Sequence, residues 1–410
     1  MRYSLLDQLA CPACLSPVAC VTLAEVAFPV AGGRPSGGSR VSAGPGVGPV
    51  PSWRASSDLT RTVTELAGPA AVPGRGDEVV VDTGLLICSC GRWFPVERAI
   101  PELLPDHLRT DARDRPFFDA ALPQLPRRLA ERLEFRRPDT ASTSDTGAHY
   151  KRAEISIKSK VADEAFFTPG YSSPFAFWDS DFSVYLLKLF GTVAPMLALR
   201  RGDRVVDSGC GYAWTTEWLF RSGFDTIGVD ICRTYLEVGM ARMGIQRPHL
   251  VIGDVEALPL AAETARAVLA YESFHHIPNR PVAVRSYERI LQDGGLAILA
   301  EPGAAHEHAA IAIDVMEKYG ILERGMELAD VRSYCQGTSL YAEQIFCLKL
   351  AEGELGAAAD RTFVGSHSVV EGNIFRLVKG GGPAVSDVQP EKRSLLSRIR
   401  RRVARRIETR

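Results

Sequence analysis

The chain has 410 residues, 46% hydrophobic and 24% charged, with Lys+Arg 48 against Asp+Glu 49 and a formal net charge of -1. That composition describes a globular protein with room for two or three domains, and the near-balance of charge excludes a global preference for nucleic acid or any other polyanion. No apolar run reaches the roughly 18 to 20 residues that span a bilayer, and Asp7, Gln8 and Pro12 interrupt the N-terminus where an export signal needs an unbroken apolar stretch, so the sequence reads as cytoplasmic.

Cysteines mark the beginning of the chain. Cys11 and Cys14 form "CPAC", Cys20 follows, and Cys88 and Cys90 form "CSC". Without an export signal, such clustering favours metal ligation over disulfides, and four thiolates on two tight turns bind Zn²⁺ tetrahedrally. Cys88 and Cys90 are one residue closer than the usual Cys-x-x-Cys, so either that turn is distorted or Cys20 serves as a ligand instead. Between the pairs, residues from about 28 to 76 are rich in Gly, Pro and Ser and cannot bury enough apolar surface to order themselves, which predicts a disordered insertion. A basic and polar connector follows, including "PRRLAERLEFRRP". Then comes an aromatic stretch with Phe166, Phe167, Tyr171, Phe175, Phe177, Trp178, Phe182 and Tyr185. These rings either close over a ligand or pack a helix.

From Arg204 the pattern alternates. "RVVDSG", "DTIGVDI", "HLVIGD", "ARAVLAYES" and "LAILAEPG" read as strands, with helical patterns between them, and "IFCLKLA" and "NIFRLVKG" as later strands. Repeated βα units predict a Rossmann-like α/β fold, a doubly wound and mostly parallel sheet that binds ligands beyond the carboxyl ends of its strands. The expected organisation is a ribbon over residues 1–105, a connector and aromatic lid over 106–185, the α/β domain over 186–380 and a basic tail over 381–410.

"VVDSGCGYAW" holds the turn after the first of these strands. A dinucleotide fingerprint needs a third glycine where Trp214 stands, which weakens the case for NAD. The remaining Asp-x-Gly-x-Gly puts a carboxylate beside the turn, where it favours an ammonium and repels a pyrophosphate. Asp230 ends the second strand and can accept ribose hydroxyls. Asp254, after the third, can accept from an adenine amino group. Together with "IGVDIC", "GDVEALPL", "SFHHIPN" and "ERILQDGGLAILAEPG", this segment resembles the class I S-adenosylmethionine-dependent methyltransferases. The resemblance implies Asp207 near the methionyl group, Gly209 and Gly211 at the close backbone approach, Asp230 on the ribose, Asp254 at the adenine, and Val255 beside it in the cofactor site. It departs from the family at Ala213, where a third small glycine is usual.

Transfer to a hydroxyl requires a proton acceptor. His275 or His276 is the expected base, unless the pair packs structurally; Glu272 and Glu301 either orient a substrate or cap a helix. "LLDQLACPACLSPV" and "LICSCGRWFPVERAIPELLP" resemble the small zinc-ribbon partners of tRNA and protein methyltransferases and the ribbons fused ahead of bacterial methyltransferase domains, implying structural zinc on Cys11, Cys14, Cys88 and Cys90. The segment "AEPGAAHEHAAIAIDVMEKYGILERGMELADV" resembles one in methyltransferases encoded beside glycosyltransferases, which implies a small-molecule or glycan acceptor. An RNA methyltransferase and a noncatalytic scaffold stay open as alternatives, the ribbon's few basic residues weighing against nucleic acid. In residues 391–410, nine Lys/Arg accompany two Glu, and Leu395, Ile399, Val403 and Ile407 recur every four positions. That is the pattern of a basic amphipathic helix suited to an anionic membrane surface, of an RNA-binding arm, or of a solvated tail.

Overall fold

The computed structural model describes residues 1–27, 46–47, 79–131, 133, 135, 147–170, 174, 180–244, 248–349 and 371–381. Most of the expected insertion, the aromatics Tyr171, Phe175, Phe177 and Trp178, and the basic tail lie outside them. The chain divides into two units, Met1–Gly380 and Gly381–Arg410.

Its strands are β1 (Val18–Ala27), β2 (Gly46–Val47), β3 (Val79–Cys88), β4 (Trp93–Glu97), β5 (Ile100–Leu103), β6 (Arg204–Ser208), β7 (Asp225–Asp230), β8 (His249–Gly253), β9 (Ala265–Tyr271), β10 (Leu291–Pro302), β11 (Leu340–Lys349) and β12 (Glu371–Lys379). They form one sheet in the order β11-β12-β10-β9-β6-β7-β8-β5-β4-β3-β1-β2. From β10 to β8 neighbouring strands run parallel, and β12 and β11 close that edge antiparallel. The apolar runs of the central strands follow from burial on both faces: Val205, Val206, Val268, Leu269, Ile298 and Leu299 are all fully buried. The order reverses across β6, between β7 and β9, which opens a ligand crevice at the strands' carboxyl ends.

The ribbon's strands continue into the core sheet across the boundary expected near residue 105. β5 pairs parallel with β8 through Glu102↔Ile252 and Leu103↔Gly253, extending the core sheet. Leu5, Leu9, Val18 and Phe94 belong to the same apolar cluster as Val206, Val229 and Val251, and Ala10 N–H donates to Pro259 O at 3.0 Å. A ribbon this small has little core of its own, so sharing that of its neighbour is the stable arrangement. The expected connector is also packed structure. Helix Asp111–Ala121 is capped by Thr110, and its Phe117 and Phe118 lie against Trp93 with Leu85 and Ile87. Within the expected insertion, β2 pairs with β1 through Val21↔Val47.

Candidate functional site

The site begins at the turn leaving β6. Gly209 N–H and Cys210 N–H both donate to Val229 O, at 2.8 and 3.1 Å, drawing the turn against the end of β7. Gly209 has φ +70°, and a Cβ there would meet Ser273 Cβ at 2.7 Å, so only glycine fits. Ala213 takes the left-handed conformation, φ 56° and ψ 30°, ahead of helix Trp214–Arg221. A Cβ-bearing residue there is strained by roughly 1–2 kcal/mol. Close packing is supplied elsewhere, by Gly239 of helix Arg233–Met243, where a Cβ would lie 2.3 Å from Tyr212 O.

Around the turn lies a cavity of about 290 Å³, lined by Gly209, Gly211, Asp230, Asp254, Val255 and His276. Asp230 Oδ2 accepts from Gly211 N–H at 2.8 Å and Oδ1 from Cys232 N–H at 2.7 Å. Burial pushes this carboxyl up to about 6 against those donors. Asp254 Oδ1 accepts from Glu256 N–H at 2.9 Å. Asp207 is not among the lining residues. Its Oδ2 accepts from the Thr215 and Thr216 hydroxyls at 2.6 and 2.5 Å, and it is 1% exposed. These bonds tie one oxygen of the carboxylate to the following helix.

The histidines part company. His275 is buried and does not line the cavity. Its Nδ1 lies 2.7 Å from Glu301 Oε2 and its Nε2 3.4 Å from Glu323 Oε2. Burial lowers its pKa, but these two carboxylates outweigh burial and hold it up at about 10. A proton so held is poorly suited to general-base work. Glu301 is likewise turned inward, accepting from Phe274 N–H at 2.9 Å and His275 N–H at 3.2 Å. His276 does line the cavity. Its Nδ1 donates to Leu322 O at 2.7 Å, leaving Nε2 as the acceptor nitrogen. Burial and the neighbouring His275 pull its pKa down to about 4, so the ring is neutral at pH 7. Glu323 also takes His306 Nε2 at 2.7 Å, and the histidines hold its carboxyl well below the usual range in spite of burial. His275, His276 and Glu323 are close enough to share an ion, but their near atoms are engaged with one another, with Glu301, His306 and Leu322, which makes them a hydrogen-bonded network.

Sequence reasoning missed two cavity residues, Lys151 and Glu154, both on helix Ala148–Ile155. Lys151 Nζ donates to Asp254 Oδ2 at 2.9 Å and Glu256 Oε2 at 2.6 Å. Burial opposes its charge, yet the two carboxylates push its pKa up to about 12. The spacing of three residues that puts both side chains on one helical face was legible, but nothing local tied that face to the distant sheet. Glu272 lines the cavity with φ 48°; its Oε1 accepts from Tyr185 OH at 3.0 Å, and burial raises its pKa to about 7. Tyr212 OH donates to Phe166 O at 2.9 Å, and Phe167 stacks on Tyr235 at 6.4 Å. The described part of the aromatic stretch thus packs beside the cavity.

Cys11, Cys14, Cys88 and Cys90 converge, with all four sulfurs within 4.8 Å of one another. Cys14 Sγ lies 3.4 Å from Cys88 Sγ and Cys11 Sγ 3.8 Å from Cys90 Sγ. A tetrahedron of sulfurs about 2.3 Å from zinc has edges of roughly 3.8 Å, so the donor set fits the metal. The short Cys88–Cys90 spacing is accommodated by a tight turn in which Gly91, φ 87°, donates to Cys88 O. Cys20 is not a member of the cluster. It is buried in the ribbon beside Gly84, where burial raises its thiol to about 12, so it does not stand in for either cysteine.

Residues 206–299 match the family described as a methyltransferase domain. Methyltransferase GfsG of Streptomyces halstedii is 26% identical over 204 residues, 47% of this chain and 70% of that protein. The sterol 4-C-methyltransferase strm-1 of Caenorhabditis elegans is 27% identical over 165 residues, 39% of this chain. The 27-O-demethylrifamycin SV methyltransferase of Amycolatopsis mediterranei is 28% identical over 133 residues, 30% of this chain. The chain spans about half the length of the latter two, 48% and 49%. Fold, crevice and family match agree: residues 206–299 form a Rossmann-like methyltransferase domain.

Proposed function

We propose that this enzyme methylates a hydroxyl oxygen of a sugar or glycan precursor. The observation that carries the reading is the cavity itself, with the Gly209–Gly211 turn, Asp230 and Asp254 along one side and His276 and Glu272 on its wall. S-adenosylmethionine supplies an electrophilic methyl group when bound. Asp230 accepts the ribose hydroxyls, Asp254 and Val255 border the adenine, and the glycine turn lets backbone approach the methionyl chain. His276, neutral with Nε2 as its acceptor nitrogen, takes the hydroxyl proton as the oxygen attacks. The surrounding apolar and aromatic walls exclude water, which protects the sulfonium from hydrolysis. An O-methyltransferase name among the relatives supports oxygen as the acceptor atom. The resemblance of residues 300–331 to methyltransferases encoded beside glycosyltransferases supports a glycan.

In the same reading, Cys11, Cys14, Cys88 and Cys90 hold structural Zn²⁺, and the basic tail brings the enzyme to an anionic membrane face carrying lipid-linked precursors. No helix among the described residues is long and apolar enough to cross a membrane. Incubation of the full chain with methyl-labelled cofactor and separated lipid-linked glycan, RNA and protein fractions tests the proposal. Label in the glycan fraction supports it, and label confined to RNA or protein overturns it.

A further inference from the structure

Helix Ala148–Ile155 precedes the matched domain by some fifty residues of chain, yet it lays two ionisable side chains into the cofactor cavity. Lys151 is spent on Asp254 and Glu256. Glu154 is different. Among the described residues, no hydrogen bond or ion pair reaches its half-buried carboxyl. Such a group in a binding cavity lacks the partner that would offset its desolvation.

The charges around Glu154 indicate which partner it lacks. Asp230 at the end of β7, Asp254 after β8 and Glu323 from the segment behind the histidines all disfavour its ionisation, and His275 favours it. The thiol of Cys232 and the phenol of Tyr235, on the turn and helix that follow β7, face it as well, and Glu272, His276 and Lys151 share the cavity wall. Burial and this acidic surround push the Glu154 carboxyl up to about 8. Glu154 shares the cavity lining with Asp230, assigned to the ribose, and with His276, assigned to the acceptor, and the methyl-bearing sulfur of the cofactor lies between ribose and acceptor. The cavity therefore presents an excess of carboxyls where a cationic centre would sit.

We propose that Glu154 is the counter-ion of the cofactor's sulfonium, so that the cavity binds S-adenosylmethionine in preference to its neutral thioether product, S-adenosylhomocysteine. The proposal rests on the cofactor assignment made above and extends the site to a helix outside the matched domain. Cofactor and product share adenine, ribose, ammonium and carboxylate and differ by one methyl group and one positive charge. A carboxylate beside the sulfur therefore acts on the difference between them, and loss of that charge on transfer weakens the product's hold.

Calorimetry with S-adenosylmethionine and S-adenosylhomocysteine needs no knowledge of the acceptor. Glu154→Gln is expected to weaken the first on the order of tenfold and the second by less than about twofold, while Glu154→Asp keeps most of the preference. In the native protein at pH 7, titrations in buffers of different ionisation enthalpy should show more protons released by the sulfonium compound than by the thioether, and Glu154→Gln should abolish the difference. Equal weakening of both ligands, an unchanged preference, or a preference moved by Glu272→Gln instead overturns the assignment. If the native protein binds neither compound, the cofactor assignment itself fails, which is a separate outcome.

Discussion

Asp230→Asn probes the cofactor cavity with little change of shape. The carboxylate holds Gly211 N–H at 2.8 Å through one oxygen and Cys232 N–H at 2.7 Å through the other. An asparagine accepts from only one of them and turns its own amide donor toward the second, and a buried unpaired N–H costs roughly 1–3 kcal/mol. Each ribose hydroxyl also exchanges a charge-assisted bond for a neutral one, a loss of about 1 kcal/mol apiece. Part of the total appears as lower stability and part as lower affinity, so Kd for S-adenosylmethionine should rise on the order of ten- to a hundredfold. Calorimetry with the cofactor and its product should show both weakened alike, because they share the ribose. The native affinity should also fall as pH drops through about 6, the value to which burial raises this carboxyl, since the protonated form gives up half its accepting capacity. Asp230→Asn should lack that dependence. An unchanged Kd would refute the placement of the ribose, and a loss confined to one of the two ligands would refute the mechanism.

Metal analysis of fresh full-length protein should find about one equivalent of zinc, and Cys14→Ser, at an exposed position of the cluster, should reduce it to near zero. His275→Gln should leave cofactor affinity little altered and change the pH dependence of unfolding instead. The folded-state pKa of His275, near 10, lies above the ordinary histidine value of 6.5, so its stabilisation is complete below about 6.5 and fades as pH rises from there through about 10; denaturant midpoints between pH 6 and 10 should flatten in the variant. His276→Ala should lower turnover by about a hundredfold with cofactor binding preserved, and equal turnover would remove it as the base. The full chain should sediment with anionic vesicles at low salt and a chain ending at Gly382 should not; equal recovery in the supernatant would remove the membrane face from the account.

What the sequence made legible was local. Strand, glycine turn and terminal carboxylate are adjacent in "VVDSGCGYAW", and the alternation from Arg204 onward encodes the parallel sheet because both faces of each strand are buried. The sulfur cluster was readable for the same reason, since each pair lies within four residues. Long-range pairing was not. The join of β5 to β8 depends on a match between segments about 150 residues apart, and no short pattern announces it. Lys151 and Glu154 stayed hidden because their helix reads as a charged surface segment until the fold carries it to the cavity. Asp207 and His275 show a second limit. Their residue types point to chemistry, but no local pattern shows that Thr215 and Thr216 hold one oxygen of the first, or that Glu301 and Glu323 flank the imidazole of the second.

A crystal structure of the full chain with S-adenosylhomocysteine tests the central claim most directly. The account predicts the ligand at the carboxyl ends of β6 to β8, with its ribose hydroxyls on the Asp230 carboxylate, its adenine against Asp254 and Val255, and its sulfur facing Glu154. A ligand seated elsewhere, or one in this crevice with Asp230 turned away from the ribose, would contradict it.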